Sequence, residues 1–230
     1  MEKKGYSDDI ANAISSFLKE DDWKFDFDDE KGVFKFSLSL KSKIKRINYV
    51  ISVKKEEYSV YAVSPIEADE NDKKIMANMS EFICRINYGL RMGNFELDHR
   101  DGEIRYKVNI CCSDMIPTKR IISRSIYCPA TMFEHYGSGI INIIFSDATA
   151  KNAFEKCKKS VEDASHHGVS TIASSENGNS TDVADTMMAR LAARLGSSSA
   201  ESSQDSEQTG SNLSEPIIHT DLFRKKGGVS

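Results

Sequence analysis

The sequence predicts an α+β protein, an antiparallel sheet with flanking helices followed by a disordered C-terminal tail. Two observations predict the folded part. Apolar residues alternate with polar ones in two blocks, residues 23–62 and 95–110, which is the period of strands with one buried face. Apolar steps of three and four fill the segments before, between and after them, the period of amphipathic helices. A third observation sets the limits: nineteen of the twenty aromatic residues precede residue 164. Strands in blocks, with helices between the blocks, argue a sheet covered by helices on one face.

Residues 7–20 read as a helix. Ser7 or Asp8 can cap it, Asp8 and Asp9 suit its positive end, and Ile10, Ile14, Phe17 and Leu18 recur at helical spacing. Four strands follow, carried by Trp23/Phe25/Phe27, Phe34 to Leu40, Ile47 to Val53 and Tyr58 to Ala62. Asp29 to Gly32 and Lys41 to Lys43 supply turns. Ile75, Met79, Phe82, Ile83, Ile86 and Leu90 then mark one apolar helix face over residues 71–88, with Gly89 and Gly93 as stop signals. A hairpin comes next. Phe95 and Leu97 lead into the turn Asp98 to Gly102, and Ile104, Tyr106, Val108 and Ile110 lead back. Thr118 can cap a further helical region, in which Pro129 predicts a kink or break near Cys128. Ser146-Asp147 is expected to open a last helix through Val161.

The last 67 residues hold fourteen serines and six glycines. So few large apolar side chains cannot offset the entropy of ordering the chain, and residues 164–230 read as a Ser-rich disordered tail. The foldable unit is then residues 1–163. Two apolar islands interrupt the tail. Asp182 to Leu195 has Ala184, Met187, Met188, Leu191 and Leu195 on one helical face, acids at its start, Arg190 and Arg194 towards its end, and Gly196 as a stop. Ile217, Ile218, Leu222 and Phe223, followed by Arg224-Lys225-Lys226, form the second island. These apolar residues are the candidate partner-binding positions.

Composition narrows the function classes. The formal charge of −4 and pI near 5.8 argue against a dedicated nucleic-acid binder. No apolar run approaches the ~20 residues of a membrane span, and the N-terminus lacks the apolar core of a signal peptide. Cys84, Cys111, Cys112, Cys128 and Cys157 are odd in number and contain no C-x-x-C. They read as buried small apolar residues in a reducing, cytoplasmic setting.

Chemistry-bearing motifs are sparse. None of the five histidines has a second histidine or a cysteine one helical turn away; His166-His167 reads as a polar linker and His99 as a solvated turn residue. There is no G-x-S-x-G or H-E-x-x-H. Gly137-Ser138-Gly139 is too short for a phosphate cradle and reads as a loop or a weak point in a helix. The paired carboxylates sit at helix starts and turns, where capping and solubility explain them. Lys41, Lys43, Lys45, Arg46, Lys54 and Lys55 either protect strand edges or form a polyanion site, and edge protection is the preferred reading. No catalytic residue, metal or cofactor is expected.

The stretch from Phe82 to Tyr106, FICRINYGLRMGNFELDHRDGEIRY, resembles the YbjN family of small bacterial proteins, described as sensory transduction regulators. The matching features are the helix end Asn87-Tyr88-Gly89-Leu90, the run Gly93 to Asp98, and Gly102 to Tyr106. The resemblance spans about residues 5–163. It implies a fold like that of the type III secretion chaperones, a twisted antiparallel sheet flanked by helices, and it carries no catalytic residues. Within the motif Gly93, Phe95, Leu97, Asp98, Gly102 and Tyr106 have structural readings: the apolar residues pack the hairpin on the helices, the glycines permit sharp turns, and Asp98 bonds turn amides.

Together these readings predict a non-enzymatic protein that binds a protein partner, chaperone-like or regulatory, with homodimer formation compatible with it and neither nucleic acid nor membrane as partner. The alternative is an adaptor whose tail recruits a partner through its short apolar motifs. An enzyme with a site assembled from distant residues is the reading from another class.

Overall fold

The structure, a computed structural model, describes residues 4–167. Helix α1 (Asp8–Glu20) is followed by strands β1 (Asp26–Asp28), β2 (Val33–Ser39), β3 (Arg46–Val53) and β4 (Glu57–Val63). Helix α2 (Lys73–Asn87), the hairpin β5 (Asn94–Leu97) and β6 (Ile104–Cys111), and helices α3 (Lys119–Phe145) and α4 (Ala150–His167) complete it. The six strands form one antiparallel sheet in the order β1-β2-β3-β4-β6-β5. This is an α+β fold with flanking helices.

The alternation read from the sequence decides which face is covered. Phe34 and Phe36 on β2, Ile47, Tyr49 and Ile51 on β3, Tyr58 and Val60 on β4, and Tyr106 and Val108 on β6 are buried in one core with the helices. Each large side chain removed from water in this way contributes roughly 1.5–3 kcal/mol. Helix α3 lies centrally and contacts α1, α2 and α4 as well as β4 and β6. Its starting amides, like those of the other capped helices, are bonded by a side chain that sequence position selects. Ser7 accepts from the Ile10 amide, Asp72 from those of Lys74 and Ile75, and Thr118 from that of Ile121.

Several elements differ from the sequence reading. The first strand is confined to Asp26–Asp28, and Trp23 and Phe25 lie outside it. Asp22 takes a left-handed φ of 54°, which turns the chain off α1. Trp23 then packs edge-on against Phe36 and Tyr127 instead of pairing with a strand. Phe27, within the strand, is 36 % exposed. Helix α3 runs through Pro129 without a break. Gly137-Ser138-Gly139 is helical, not a loop. An added Cβ on Gly139 would lie 2.3 Å from Phe82 Cζ and 3.0 Å from Cys157 Sγ, and one on Gly137 would lie 3.2 Å from Ile44 Cδ1. Both glycines are sites of close approach.

The last helix begins at Ala150, not at Ser146-Asp147, because Asp147 has a φ of 53° and interrupts the helical path. Lys74 pairs with Asp147, and Asn78 on α2 accepts the Ala150 amide at 3.0 Å, which fixes the start of α4. Among the described residues no helix is long and apolar enough to cross a membrane.

Candidate functional site

The face of the sheet opposite the helices is the surface the fold leaves open. The cross-strand register builds it in rows: Lys35, Val50, Tyr61 and Lys107 in one, Ser37, Asn48, Val63, Arg105 and Glu96 in the next. Its middle is low and partly dry. Val50 and Ser52 on β3 are only 6 % and 7 % exposed. Polar pairs fix its flanks: Ser37 donates to Asn48 at 2.9 Å and Ser59 to Asn109 at 2.7 Å.

Tyr61 is the central aromatic of this face. The Arg105 guanidinium carbon lies 5.0 Å and the Lys107 ammonium 5.8 Å from its ring centroid, within cation–π range. Glu96 on the outer strand holds both cations, at 2.7 Å from Arg105 and 3.8 Å from Lys107. The result is a preorganised, shallow platform of small side chains around one fixed aromatic. It offers contact area and hydrogen-bonding groups.

The sheet edge beside it is closed to strand addition. The Asn87 side chain, at the end of α2, donates to the Phe95 carbonyl and accepts from the Phe95 amide, both at 2.9 Å. The Asn87 amide thus substitutes for a neighbouring strand at the outward-facing groups of β5, a device that blunts edge-to-edge association. The opposite edge, β1, is three residues long with Asp at both ends. Asn87 belongs to the motif, but its edge-capping role depends on α2 and β5 being neighbours, which spacing alone does not reveal.

The six structural motif residues do converge in the β5–β6 hairpin. Phe95 packs edge-on against Tyr106 and Phe133, with centroids 4.9 and 5.2 Å apart. The Tyr106 hydroxyl donates to the Met92 carbonyl, and burial pushes its pKa far above the ordinary tyrosine value. Gly93 and Gly102 have φ of 71° and 77°. A Cβ on Gly102 would fall 1.8 Å from the Ala68 carbonyl oxygen. Asp98 accepts from the Arg100 amide at 2.9 Å and pairs with its guanidinium, which holds the carboxyl down at about 2. Leu97 is half-buried beside the core. These positions build the hairpin.

The other candidates scatter. Lys41, Lys43, Lys45 and Arg46 lie at one end of β3, and Lys54 and Lys55 at the other, so they form no single stripe. Only Arg46 lies within a strand; β1 pairs with Val33 to Lys35 alone, so the Phe36–Ser39 part of β2, next to Lys41, Lys43 and Lys45, has no strand on its outer side. Cys84 and Cys111 are exposed, contrary to the reading of all five cysteines as buried. Cys111 sits on the outward-facing alternation at the end of β6; hydrogen bonds from Ser113 lower its thiol pKa. His99 is not merely solvated: its Nε2 lies 3.0 Å from the Ser80 hydroxyl. His135 is half-buried, and burial lowers its pKa.

Among the described residues no group of three or more His, Cys, Asp or Glu side chains is arranged to hold a metal ion. Met187, Met188, Leu191, Leu195, Ile217, Ile218, Leu222 and Phe223, the partner-binding candidates, lie outside the described residues.

The geometry defines a helix-backed antiparallel sheet with one open, polar-flanked face. No family model, no curated protein and no solved structure matches this chain.

Proposed function

We propose that this chain is a non-enzymatic partner-binding protein of the YbjN kind, chaperone-like or regulatory, which engages a polypeptide in the cytoplasm through the open face of its sheet. The observation that carries the reading is the platform around Tyr61, with Arg105 and Lys107 against its ring and the low floor of Val50 and Ser52 beside it. A half-buried tyrosine with fixed cations gives contact area and orientation at little cost in side-chain entropy. The capped β5 edge favours recognition through side chains on the face over addition of a strand. The element order, a helix and strands, then a helix and a hairpin, then helices, supports the likeness to the type III secretion chaperones.

The test is affinity capture from cell lysate with the full chain, its Tyr61→Glu/Lys107→Glu variant, and an Arg85→Glu variant altered on the outer side of α2. A stoichiometric partner held by the parent and by Arg85→Glu, but lost from the double variant at an unchanged melting temperature, is the expected result. Retention by all three chains overturns the assignment to this face. A turnover activity abolished by one substitution in the folded part overturns the non-enzymatic reading.

A further inference from the structure

The open sheet face and the first apolar island of the tail match in length, and the acidic start of the island has a basic end of the face to meet. Resting on the reading of that face as the recognition surface, we propose that residues 182–195 of the same chain are its internal ligand, a self-occupying segment that an external partner must displace. Val50 and Ser52 on β3 give the middle of the face a floor of small side chains. Small side chains let a helix approach a sheet closely. The pattern of Ala184, Met187, Met188, Leu191 and Leu195 predicts an apolar helix face, and methionines adapt to a shallow, irregular floor.

The lengths agree. Fourteen helical residues extend about 21 Å, and the eight residues of β3 extend about 27 Å. The charges match at one end. At the Arg46 end of β3 the adjoining loop adds Lys41, Lys43 and Lys45, and Lys35 lies further along the same face. The segment begins with Asp182 and Asp185 and ends with Arg190 and Arg194. Its acidic start therefore belongs over Arg46 and Lys35. Its basic end falls towards Glu57 and Asp28, where Lys31, Lys54 and Lys55 leave a mixed surface. The connection is long enough: residues 168–181, after the end of α4, reach about 46–50 Å when extended. That exceeds the combined depth of a helix layer and a sheet, about 20 Å.

Cys111, exposed on the same face, provides the probe. A nitroxide is attached to it in the full-length Cys84→Ser chain, and the methyl signals of 13C-labelled methionines are recorded. Met115, four residues along, is the internal control for broadening. The expected result is several-fold loss of intensity at Met187 and Met188, restored by Leu191→Asp and by Tyr61→Glu. The loss should persist when the labelled chain is diluted into unlabelled chain. Unbroadened Met187 and Met188 signals overturn the proposal, as does broadening seen only between chains in a mixed sample, which makes a second copy the occupant. Partner capture separates this failure from that of the functional reading. Leu191→Asp should raise capture several-fold, whereas undiminished spectra of Met187 and Met188 with capture still lost in Tyr61→Glu/Lys107→Glu leave the face a partner site and the internal ligand disproved.

Discussion

The hydroxyl of Tyr49 donates a 2.7 Å hydrogen bond to the carbonyl of Ile126, three residues before Pro129. A side chain from β3 thus bonds to the backbone of α3 beside the proline. Proline lacks the amide that would bond the Ser125 carbonyl, and the helix nevertheless continues. Packing on the sheet and hydrogen bonds from it hold this turn. Tyr58 adds a second contact, 3.0 Å from the Ser125 hydroxyl, and burial pushes the Tyr58 pKa up to about 12.

Tyr49→Phe should therefore destabilise the protein by about 1–3 kcal/mol, the cost of leaving a buried polar group without its partner. Urea denaturation followed by circular dichroism reads it as a lower midpoint with an unchanged slope. An unchanged midpoint would show that the hydroxyl does not support α3.

Asn87→Ala should lower stability by about 1–3 kcal/mol through the loss of both bonds to Phe95. It should also uncover the edge of β5 and raise the rate of association on gentle heating, measured by light scattering. A variant that is less stable but scatters no more than the parent would confine Asn87 to holding the loop.

Two glycines two residues apart on α3 should respond differently to alanine. At Gly139 the new Cβ meets Phe82 and Cys157 inside the core, and overpacking costs about 1–3 kcal/mol. At Gly137 it meets the Ile44 side chain at 3.2 Å and the Ser42 hydroxyl at 3.6 Å. There the gain of about 1 kcal/mol in helix propensity offsets the contact. Thermal denaturation of both variants should place Gly139→Ala well below the parent and Gly137→Ala close to it.

Gly102→Val should be the most damaging of these changes. The left-handed φ of 77° strains a β-branched residue, and the Cβ position is occupied by the Ala68 carbonyl. The strain alone costs on the order of 1–3 kcal/mol. The variant should unfold at a clearly lower urea concentration than either alanine variant, and parity with the parent would mean the hairpin has another path.

The period of the apolar residues determined much of this protein without reference to the tertiary structure. Alternation from Phe34 to Ala62 and from Phe95 to Ile110 specified the strands and which side chains enter the core, because a strand's side chains face opposite ways at every step. Ser7 and Thr118 mark helix starts because capping is a local hydrogen bond. Features that depend on a distant neighbour were decided only when the elements packed. The continuity of α3 through Pro129 needs the Tyr49 hydroxyl from β3, and the close approach at Gly139 needs Phe82 from α2. The protected edge of β5 needs Asn87 opposite Phe95, and the platform around Tyr61 needs β6 to pair with β4 across the intervening helix α2. Local periodicity says which face of a strand is buried, whereas the residues that meet on the open face are set by strand order, a property of the whole sheet.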